Sequence, residues 1–525
     1  MDRMPLAEIR LSWLSSVGIK DRGRSYILSF GRERVMFACV SPQNRRDNET
    51  IMSSLKFGTS GLRGLVTELP DAVCSAYTLA FLKHMQSAHL VPADGVLLVG
   101  YDLRSSSPQI AAACISAAQE IGMNVENCGP LPTPALALRA MSLKVPAIMV
   151  TGSHIPADRN GLKFYRPDGE IDKADEAGIL AVLELDAGAS PSSMEPAAIV
   201  PDALTGYAQR CIALLGPQAL AGKRIGVYQH SSVSRDLIVS ILQELGADAV
   251  ALGRSDVFVP VDTEALRPED VAFADAAAKK YKLDALVSTD GDADRPLVAD
   301  EHGVFLRGDS VGLLTARFLN ADAVVTPVTS NTAIELSGLF AKVYRTRVGS
   351  PYVIEGMEQA IRDGYSRVVG FEANGGVLLG SSVTTDGGQL DALPTRDAML
   401  PILSVLGMAA KDGVALSKLL DGLPSRFTRS GRIEHVPAEK SGPLLLSLLD
   451  NDQRDRFFAQ VGTIRENDAI DGVRVVLSTG DVIHYRASGN APELRCYAEA
   501  STDERAEQLL KWGLGHAESE LAARG

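Results

Sequence analysis

The stretch GVLLVGYDLRSSSPQIAAACISAAQEIG, residues 95–122, contains an apolar run, a polar turn and then a segment rich in Ala and Ile. The apolar run suits a strand buried on both faces, and the next segment suits a helix that packs on the sheet. The same order recurs in RIGVYQHSS followed by RDLIVSILQELGA, and in ADAVVTPVTSN followed by TAIELSGLFA. Strands that alternate with helices in this way predict an α/β fold on largely parallel or mixed sheets.

The length of 525 residues allows three or four domains. Candidate boundaries lie near 185–202, 302–310 and 407–413, and after residue 413 the pattern changes to two or three adjacent strands followed by a helix. We predict three consecutive mixed-sheet α/β domains plus a smaller C-terminal α+β domain. The Arg-rich residues 1–51 show no regular period, so we expect a poorly ordered extension there. The predicted units are 1–51, 52–195, 196–303, 304–412 and 413–525.

Composition narrows the class of protein. Hydrophobic residues make up 46% and charged residues 22% of the chain, which is typical of a globular protein. The net charge of −13 argues against a nucleic-acid partner. No apolar run reaches the roughly 18 residues of a membrane span, so no membrane partner is expected. The six cysteines are dispersed without a CxxC pair, which favours a reducing compartment, and we expect a cytoplasmic protein.

The segment TGSHIPADRNGLKFY, residues 151–165, begins where the apolar run VPAIMV ends. It places Ser153 beside His154 and ahead of Lys163. Serine is a weak nucleophile until a base or a cation assists it, so this loop is a candidate for nucleophilic catalysis. The alternative is an ordinary polar turn, because such turns commonly end buried strands.

The loop STDGDADRP, residues 288–296, repeats aspartate at every second position, with Asp290, Asp292 and Asp294. Crowded carboxylates repel one another, and a hard divalent cation resolves that repulsion. An EF-hand is disfavoured, because Arg295 stands where that loop requires glycine and a strand precedes the loop. A solvated acidic turn remains an alternative. The spacing favours a Mg²⁺ site with positions open to phosphoryl oxygens.

Three further loops carry groups that suit a phosphorylated sugar. KFGTSGLRG, residues 56–64, holds Arg63 among three glycines, and its guanidinium can bind a phosphate bidentately. RASGNAPELR, residues 486–495, offers cations, a hydroxyl and exposed N–H groups for a phosphate dianion, although a charged hairpin tip is an alternative. FEANGGVLLG, residues 371–380, ends a strand with Glu372 and Asn374, which suit sugar hydroxyls; a simple Asn-Gly turn is equally compatible.

In this order, the motifs TSGLRG, TGSHIP with NGLKFY, DGDADR, FEANGG and RASGNAP resemble the α-D-phosphohexomutase superfamily, and most closely its phosphomannomutase/phosphoglucomutase members. The resemblance runs from about Lys56 to the C-terminus. It implies four domains around a central cleft and an isomerase of carbohydrate metabolism. Such an enzyme interconverts hexose 6-phosphate and hexose 1-phosphate through a phosphoserine and a hexose 1,6-bisphosphate, which also acts as activator. Mannose is the expected sugar and glucose the second.

The resemblance also implies a role for each site residue. Ser153 matches the phosphoserine and one Mg²⁺ ligand, and the three aspartates match the other ligands. Arg63, His154 and Lys163 match catalytic groups near the reacting phosphoryl group, with Lys163 and His154 both open as the general base. The remaining matches bind substrate. Arg295 is a supporting contact near the reacting phosphoryl group, Glu372 and Asn374 bind the sugar hydroxyls, and the distant phosphate is bound by Arg486, Ser488, Gly489 and Asn490.

The chain departs from many relatives at three places. It has Gly152 where many have Ala, ANGG at 373–376 where many have Ser and then His, and Asn490 where Thr is frequent. The first and third are compatible with the same site, whereas the missing His leaves the sugar preference open. A mutase for glucosamine phosphate and a noncatalytic sugar-phosphate sensor are the alternatives. A serine hydrolase is disfavoured, because no GxSxG motif surrounds Ser153.

Overall fold

The computed structural model of the protein describes residues 54–58, 61–185, 198–488 and 492–524, so the predicted extension at 1–51 lies outside the described residues. Within them, the strands form four sheets and one separate two-stranded ribbon. No helix in the described ranges is both long enough and apolar enough to cross a lipid bilayer.

The first sheet is mixed and is covered by four helices. Its strands are β1 (Lys56–Phe57), β2 (Leu62–Leu65), β3 (Val96–Tyr101), β4 (Asn124–Pro130), β5 (Ala147–Val150), β6 (Arg159–Arg166) and β7 (Gly169–Glu170). Its helices are α1 (Asp71–Ser87), α2 (Ser107–Glu120), α3 (Thr133–Leu143) and α4 (Lys173–Ala181). The strand order is β1-β2-β6-β5-β3-β4, with β7 beside β6. The stretch 95–122 thus forms β3 and α2, as predicted.

The second and third sheets are also mixed. The second has the order β11-β10-β8-β9, in which β10, β8 and β9 are parallel and β11 is an antiparallel edge strand. The third has the order β13-β12-β14-β15-β18, in which β13, β12 and β14 are parallel and the pairs β14-β15 and β15-β18 are antiparallel. The strands are β8 (Arg224–His230), β9 (Asp248–Arg254), β10 (Ala285–Thr289), β11 (Pro296–Ala299), β12 (Ala323–Pro327), β13 (Lys342–Thr346), β14 (Val368–Phe371), β15 (Val377–Leu379), the ribbon β16 (Val383–Thr385) and β17 (Gly388–Leu390), and β18 (Leu393–Asp397). The helices are α5 (Asp202–Leu215), α6 (Arg235–Glu244), α7 (Pro268–Tyr281), α8 (Gly308–Phe318), α9 (Ala333–Leu336), α10 (Ser350–Arg362) and α11 (Met399–Asp412).

The fourth sheet is fully antiparallel, with the order β19-β23-β22-β21-β20. Its strands are β19 (Phe427–Glu434), β20 (Ile464–Asp468), β21 (Val473–Leu477), β22 (Val482–Ala487) and β23 (Glu493–Ala500), and its helices are α12 (Ala438–Ser447), α13 (Asn451–Phe458) and α14 (Asp503–Ala523). An antiparallel sheet with segregated helices is an α+β module. The predicted fold class is therefore confirmed, whereas the exact domain boundaries stay predictions.

Helix packing holds the first three sheets in fixed relation. Helix α5 contacts α3 of the first sheet and α11, which follows the third sheet. One continuous apolar core runs from Leu98 through Tyr207 to Leu406. Because this core is shared, the strand-end loops of the first three sheets are held close to one another, and the candidate site forms between them.

Candidate active site

Ser153 lies in the loop that follows β5, in a strained backbone conformation. Its φ is +54°, a left-handed value that is uncommon outside glycine and that often marks functional sites. The side chain is buried, and its Oγ donates a hydrogen bond to Asp290 Oδ2 at 2.6 Å. His154 Nδ1 lies 3.2 Å from the same Oγ. The candidate nucleophile of the first sheet thus contacts the acidic loop of the second.

Arg104 holds the shape of this serine loop. Its buried guanidinium donates to four backbone carbonyl oxygens of the loop, including that of Ser153 at 2.9 Å. It also forms an ion pair with buried Asp102 at 3.2 Å and lies 3.9 Å from the centre of the Phe258 ring. A Cβ atom at position 152 would lie 2.7 Å from Cζ of Arg104, which explains the glycine there. Five donors on one rigid fork suit this task.

Arg104→Met is expected to destabilise the first sheet and its serine loop. Removing one partner of a buried pair leaves Asp102 uncompensated and costs about 3–5 kcal/mol of unfolding free energy. Urea denaturation monitored by circular dichroism measures the loss. Arg139→Met is the matched control, because its ion pairs are partly exposed and are worth about 1 kcal/mol or less. Equal stability of the Arg104 variant and the wild type would contradict the bracing role.

The three predicted aspartates lie together and are buried. One oxygen from each of Asp290, Asp292 and Asp294 lies within 4.8 Å of the others. Burial, reinforced by the other two carboxylates, raises the pKa of Asp290 well above its ordinary value. For Asp294, burial alone would raise the pKa, but Arg396 and Lys163 hold it well below the ordinary range. The loop therefore concentrates negative charge that needs compensation.

The donor set fits a hard divalent cation. Oδ1 of Asp292 and Oδ1 of Asp294 are buried and have no hydrogen-bond partner among the described residues. Buried polar oxygens normally have a partner, so two such oxygens in one acidic cluster are an unusual feature. Three aspartate oxygens at this spacing are the ligand type that Ca²⁺ and Mg²⁺ prefer. The triplet can hold a metal ion.

Lys163 and Arg63 supply positive charge from neighbouring strands of the first sheet. Arg63 on β2 pairs with Gly161 on β6, so Arg63 and Lys163 point to the same face of the sheet. Lys163 Nζ lies 2.6 Å from Asp292 Oδ2 and 2.6 Å from Asp294 Oδ2. Burial would lower the pKa of Lys163, but these two carboxylates raise it above the ordinary value. Both predicted cations lie in strands, rather than in the turns that their sequence context suggests.

The other two cluster residues, His154 and Arg295, differ in charge. Burial, together with the positive charges of Arg295 and Arg63, holds the pKa of His154 well below its ordinary value, so the imidazole is neutral. Desolvation lowers the pKa of Arg63 to about 10, and the charge of Arg295 adds to this effect. Burial alone would lower the pKa of Arg295, but the carboxylate of Asp294 raises this pKa above the ordinary value. The arginines therefore remain cations at neutral pH.

The predicted sugar loop follows β14 and reaches the same centre. Glu372 and Asn374 are buried, and Asn374 Oδ1 accepts a hydrogen bond from the N–H of Gly376 at 2.9 Å. Thr263 of the second domain donates to the backbone oxygen of Asn374 at 2.9 Å. The structure thus brings the serine, metal and sugar loops together.

The predicted phosphate loop lies in the fourth sheet. Arg486 on β22 is directly opposite Arg495 on β23, and Arg486 Nε donates to Asp471 Oδ2 at 2.8 Å. Ser488 follows β22, and its N–H donates to the backbone oxygen of Glu493 at 2.9 Å. Gly489 and Asn490 lie outside the described residues. No ion pair in the described part of the chain joins Arg486 to the aspartate triplet.

Sequence reasoning missed three residues that shape this centre: Arg104, Thr133 and Arg396. Thr133, at the start of α3, donates to Asp292 Oδ2 at 2.6 Å. Arg104 lies in the polar turn after β3, and a position at the end of a strand is the feature that identified the predicted site residues. The sequence therefore contains a signal for Arg104, and also for Arg396, which lies near the end of β18. The segment YQHSSVSRD, residues 228–236, packs behind the metal loop, where Ser232 Oγ lies 2.6 Å from Thr289 Oγ1.

Comparison with known proteins agrees with this geometry. Four segments match the domains described as phosphoglucomutase/phosphomannomutase alpha/beta/alpha domains I, II and III and C-terminal domain. The matched residues are 54–187, 205–303, 307–427 and 449–511, respectively. The chain belongs to the phosphoglucomutase/phosphomannomutase family. It is therefore an enzyme of the phosphohexomutase type, an isomerase that moves a phosphoryl group within a hexose phosphate.

Individual members of the phosphoglucomutase/phosphomannomutase family align over most of the chain. A phosphomannomutase of Sinorhizobium fredii is 48% identical, covering 87% of this chain and 98% of that protein. A phosphomannomutase of Salmonella muenchen is 46% identical, covering 89% and 97%. A phosphoglucosamine mutase of Maricaulis maris is 29% identical, covering 85% and 95%. A solved putative phosphomannomutase of Thermus thermophilus shares the fold, with a TM-score of 0.70, 22% identity and coverage of 89% and 100%.

Proposed function

We propose that the protein interconverts hexose 6-phosphate and hexose 1-phosphate, with mannose as the preferred sugar and glucose as the second. The reaction would proceed through phosphoserine at Ser153 and a hexose 1,6-bisphosphate that also acts as activator. The observation that carries this proposal is the contact of 2.6 Å between Ser153 Oγ and Asp290 Oδ2, beside the cationic side chain of Lys163. It joins a candidate phosphoryl carrier to the acidic triplet.

The proposed reaction uses one set of groups twice. In the first transfer, the bond between phosphorus and Ser153 Oγ breaks while a free sugar hydroxyl forms a new bond to the same phosphorus. The proton of that hydroxyl leaves to a general base, and the released Ser153 Oγ takes up a proton that it loses again in the return transfer. His154 and Lys163 are the candidate bases. His154 is neutral and can accept a proton directly, whereas Lys163 must first give up the proton that Asp292 and Asp294 hold on it. After the bisphosphate has turned over, its other phosphoryl group returns to Ser153. Arg63 and Lys163 stabilise the transferring phosphoryl group by charge, so positioning and electrostatics carry the catalysis.

Mg²⁺ is the proposed metal of the aspartate triplet. Asp290, Asp292, Asp294 and an oxygen of phosphorylated Ser153 would hold it. When bound, it would neutralise charge on the phosphoryl oxygens, which is the usual role of Mg²⁺ in phosphoryl transfer. The two buried Oδ1 atoms of Asp292 and Asp294, which accept no hydrogen bond from any described residue, support this assignment. Thr133 and Lys163 orient the opposite oxygens through their contacts with Oδ2 atoms.

The distant phosphate would bind in the fourth domain. Arg486 and Arg495 lie directly opposite each other on neighbouring strands, so two guanidinium groups share one face of the fourth sheet. Arg486 contacts Asp471 and Arg495 contacts Glu493, and guanidinium groups also suit a phosphate dianion. The proposed sugar contacts are Glu372 and Asn374, and Arg295 is a proposed supporting contact near the reacting phosphoryl group. The proposed anchor consists of Arg486, Ser488, Gly489 and Asn490. Because the sugar must bind in two orientations, the anchor holds whichever phosphate is not reacting.

The sugar preference rests on the relatives. The proteins named phosphomannomutase are 46% and 48% identical, whereas the one named phosphoglucosamine mutase is 29% identical. This favours a neutral hexose over glucosamine phosphate. The intact serine, lysine and aspartates disfavour a noncatalytic sensor.

We propose the cytoplasm as the compartment of the protein. The five cysteines of the described residues are buried free thiols, which suits a reducing environment.

Arg486→Ala is expected to impair both reaction directions together by raising the KM for each monophosphate. Loss of a charged phosphate contact costs about 1.5–3 kcal/mol, which corresponds to roughly tenfold to a hundredfold. Steady-state assays in both directions measure the effect. Arg474→Ala on β21 is a matched control, because Arg474 is also partly buried and paired, with Asp468 at 3.1 Å. A loss confined to one direction would contradict the shared anchor.

The function itself is tested by one panel of substrates. Purified full-length protein is assayed with mannose, glucose and glucosamine 1-phosphates, with Mg²⁺ and a catalytic amount of the matching hexose 1,6-bisphosphate. We expect the highest kcat/KM with mannose 1-phosphate, lower turnover with glucose 1-phosphate and the lowest with the amino sugar. A preference for glucosamine phosphate would reject the proposed sugar, and no turnover of any of the three would reject the proposed reaction.

A further inference from the structure

Asp471 lies in the turn between β20 and β21 and contacts the proposed phosphate anchor of the fourth domain. Its Oδ2 accepts hydrogen bonds from Nε of Arg486 at 2.8 Å and from the backbone N–H of Val348 in the third domain at 3.0 Å. The side chains of Arg486 and Asp471 are 9% and 15% exposed, so water reaches little of this ion pair. The charge of Asp471 therefore acts on Arg486 with little screening by solvent.

The local backbone holds Asp471 in this place. A Cβ atom at Gly472 would overlap the backbone oxygen of Tyr485 and lie 3.0 Å from Cα of Arg486, so only glycine lets the turn pass this close to β22. The φ of Gly472 is +85°, a left-handed value that glycine adopts at little cost. Nε2–H of His484 donates to the backbone oxygen of Asp471 at 2.5 Å. The carboxylate therefore approaches the anchor from a turn with a fixed conformation.

The arginine opposite Arg486 also has a carboxylate beside it. Arg495 pairs with Arg486 across β22 and β23, and its Nε lies 3.5 Å from Glu493 Oε2. Each of the two guanidinium groups thus has an acidic neighbour on the same sheet. A phosphate dianion that binds these arginines competes with the two carboxylates and is repelled by them. The acidic neighbours therefore weaken the attraction that two bare arginines would exert on a phosphate.

A weakened anchor suits a reaction whose intermediate must turn over. Under the proposed function, one phosphate of the hexose 1,6-bisphosphate lies in the anchor, and it must leave before the sugar binds in its second orientation. Binding that stabilises the bisphosphate as much as the transition state does not raise kcat. Tighter binding in the anchor would lengthen the residence of the bisphosphate, and release steps of this kind limit kcat in many enzymes.

We propose that Asp471 attenuates the phosphate anchor: its carboxylate partly neutralises Arg486, so that the anchor releases the bisphosphate for its second orientation. This inference rests on the proposed function, because it takes Arg486 as a contact of the distant phosphate. Asp471 is thus a positioning residue, which acts through Arg486 and does not contact the reacting atoms. Removing its charge should strengthen phosphate binding, whereas loss of a merely supporting contact would weaken it.

Asp471→Asn removes the charge and keeps the shape of the side chain. Both hydrogen bonds that described residues donate to this carboxylate go to Oδ2, so an amide oxygen in that place can still accept from both donors. Asp481→Asn is the matched control, because Asp481 is also buried and contacts an arginine, Arg505, at 3.0 Å, but lies at the opposite end of β22. Thermal denaturation checks that the variants are folded. An asparagine before Gly472 can hydrolyse to aspartate, so peptide masses are checked.

Binding is measured by calorimetry without added metal, with inorganic phosphate and with mannose 1,6-bisphosphate. We expect Asp471→Asn to lower both Kd values by on the order of tenfold and Asp481→Asn to leave them unchanged. In steady-state assays, Asp471→Asn should lower the KM for mannose 1-phosphate and also lower kcat, because the bisphosphate leaves the anchor more slowly. Adding Arg486→Ala to Asp471→Asn should remove the gain in affinity, since the carboxylate acts through that arginine.

Weaker or unchanged phosphate binding in folded Asp471→Asn would overturn the inference, because Asp471 would then support the anchor or leave it unaffected. A gain in affinity that persists in the double variant would overturn it too, since the carboxylate would then act on another site. Tighter binding without a fall in kcat would overturn the link to release. If the wild type turned over no hexose phosphate, the proposed reaction would fail, and the phosphate titrations would still decide whether Asp471 weakens binding at Arg486.

Discussion

Replacing Ser153 by alanine is expected to lower turnover by at least about a thousandfold, because loss of a covalent nucleophile removes the reaction path rather than one contact along it. The variant should also take up no phosphate from hexose 1,6-bisphosphate. Ser153→Gly is a useful second variant, because glycine adopts the φ of +54° without strain and also lacks the hydroxyl. Both variants should be equally inactive, and a coupled mutase assay measures the loss.

Ser142→Ala is the matched control for this prediction. Ser142 lies in α3 of the same domain, and its exposed hydroxyl donates to the backbone oxygen of Arg139 at 2.8 Å. The control should have wild-type activity. Turnover in Ser153→Ala above a hundredth of the wild-type value would mean that another group carries the phosphoryl group, and the mechanism proposed for the serine loop would be wrong.

Asp292→Asn is expected to lower metal-dependent turnover by at least about a hundredfold. Changes beside a metal site commonly cost tenfold to a hundredfold, and loss of a ligand charge should cost at least as much. The side chain is buried, and asparagine keeps its shape while it removes one of three negative charges. The measurements are the Mg²⁺ concentration at half-maximal activity and calorimetric titration with Mn²⁺ alone.

Asp300→Asn provides the comparison for the metal prediction. Asp300 is also a buried aspartate of the second domain, but it accepts hydrogen bonds from the N–H groups of His302 and Val304, which asparagine can also accept. This control should retain its metal response. If Asp292→Asn bound Mn²⁺ as tightly as the wild type, or if the wild type kept full activity in excess chelator, the aspartate triplet would not be the metal site.

The fold class and the three strand-end loops could be predicted because local patterns encode them. Apolar runs such as 147–150 and 285–287, in series with helical segments, favour buried strands, and the residues that follow these strands lie at one edge of a sheet. Ser153, Asp290 and Glu372 each follow such a strand. These three residues lie close together because the first three domains share one apolar core. Local sequence patterns do not reveal that shared core, and only the family resemblance indicates it.

The contacts that shape the site could not be predicted, because they join residues that are distant in sequence. Arg396 and Asp294 are 102 residues apart, and Thr133 and Asp292 are 159 residues apart. A buried arginine resembles any surface arginine in the sequence until its partners are placed around it. The strand register that brings Arg63 beside Lys163 is likewise set by long-range pairing. The predicted roles of Gly489 and Asn490 and the predicted extension at residues 1–51 stay predictions.

The central claim is that Ser153 carries the transferred phosphoryl group, and mass spectrometry tests it most directly. The full-length protein is incubated with a limiting amount of mannose 1,6-bisphosphate, quenched in acid and digested, and the peptide that contains Ser153 is analysed. We expect phosphate on Ser153. When enzyme that carries isotopically labelled phosphate on Ser153 is mixed with excess unlabelled mannose 1-phosphate, the label should move into the sugar phosphates, while unlabelled phosphate from the bisphosphate returns to Ser153. Active enzyme that never carries phosphate on Ser153, or that carries it on another residue, would contradict the account.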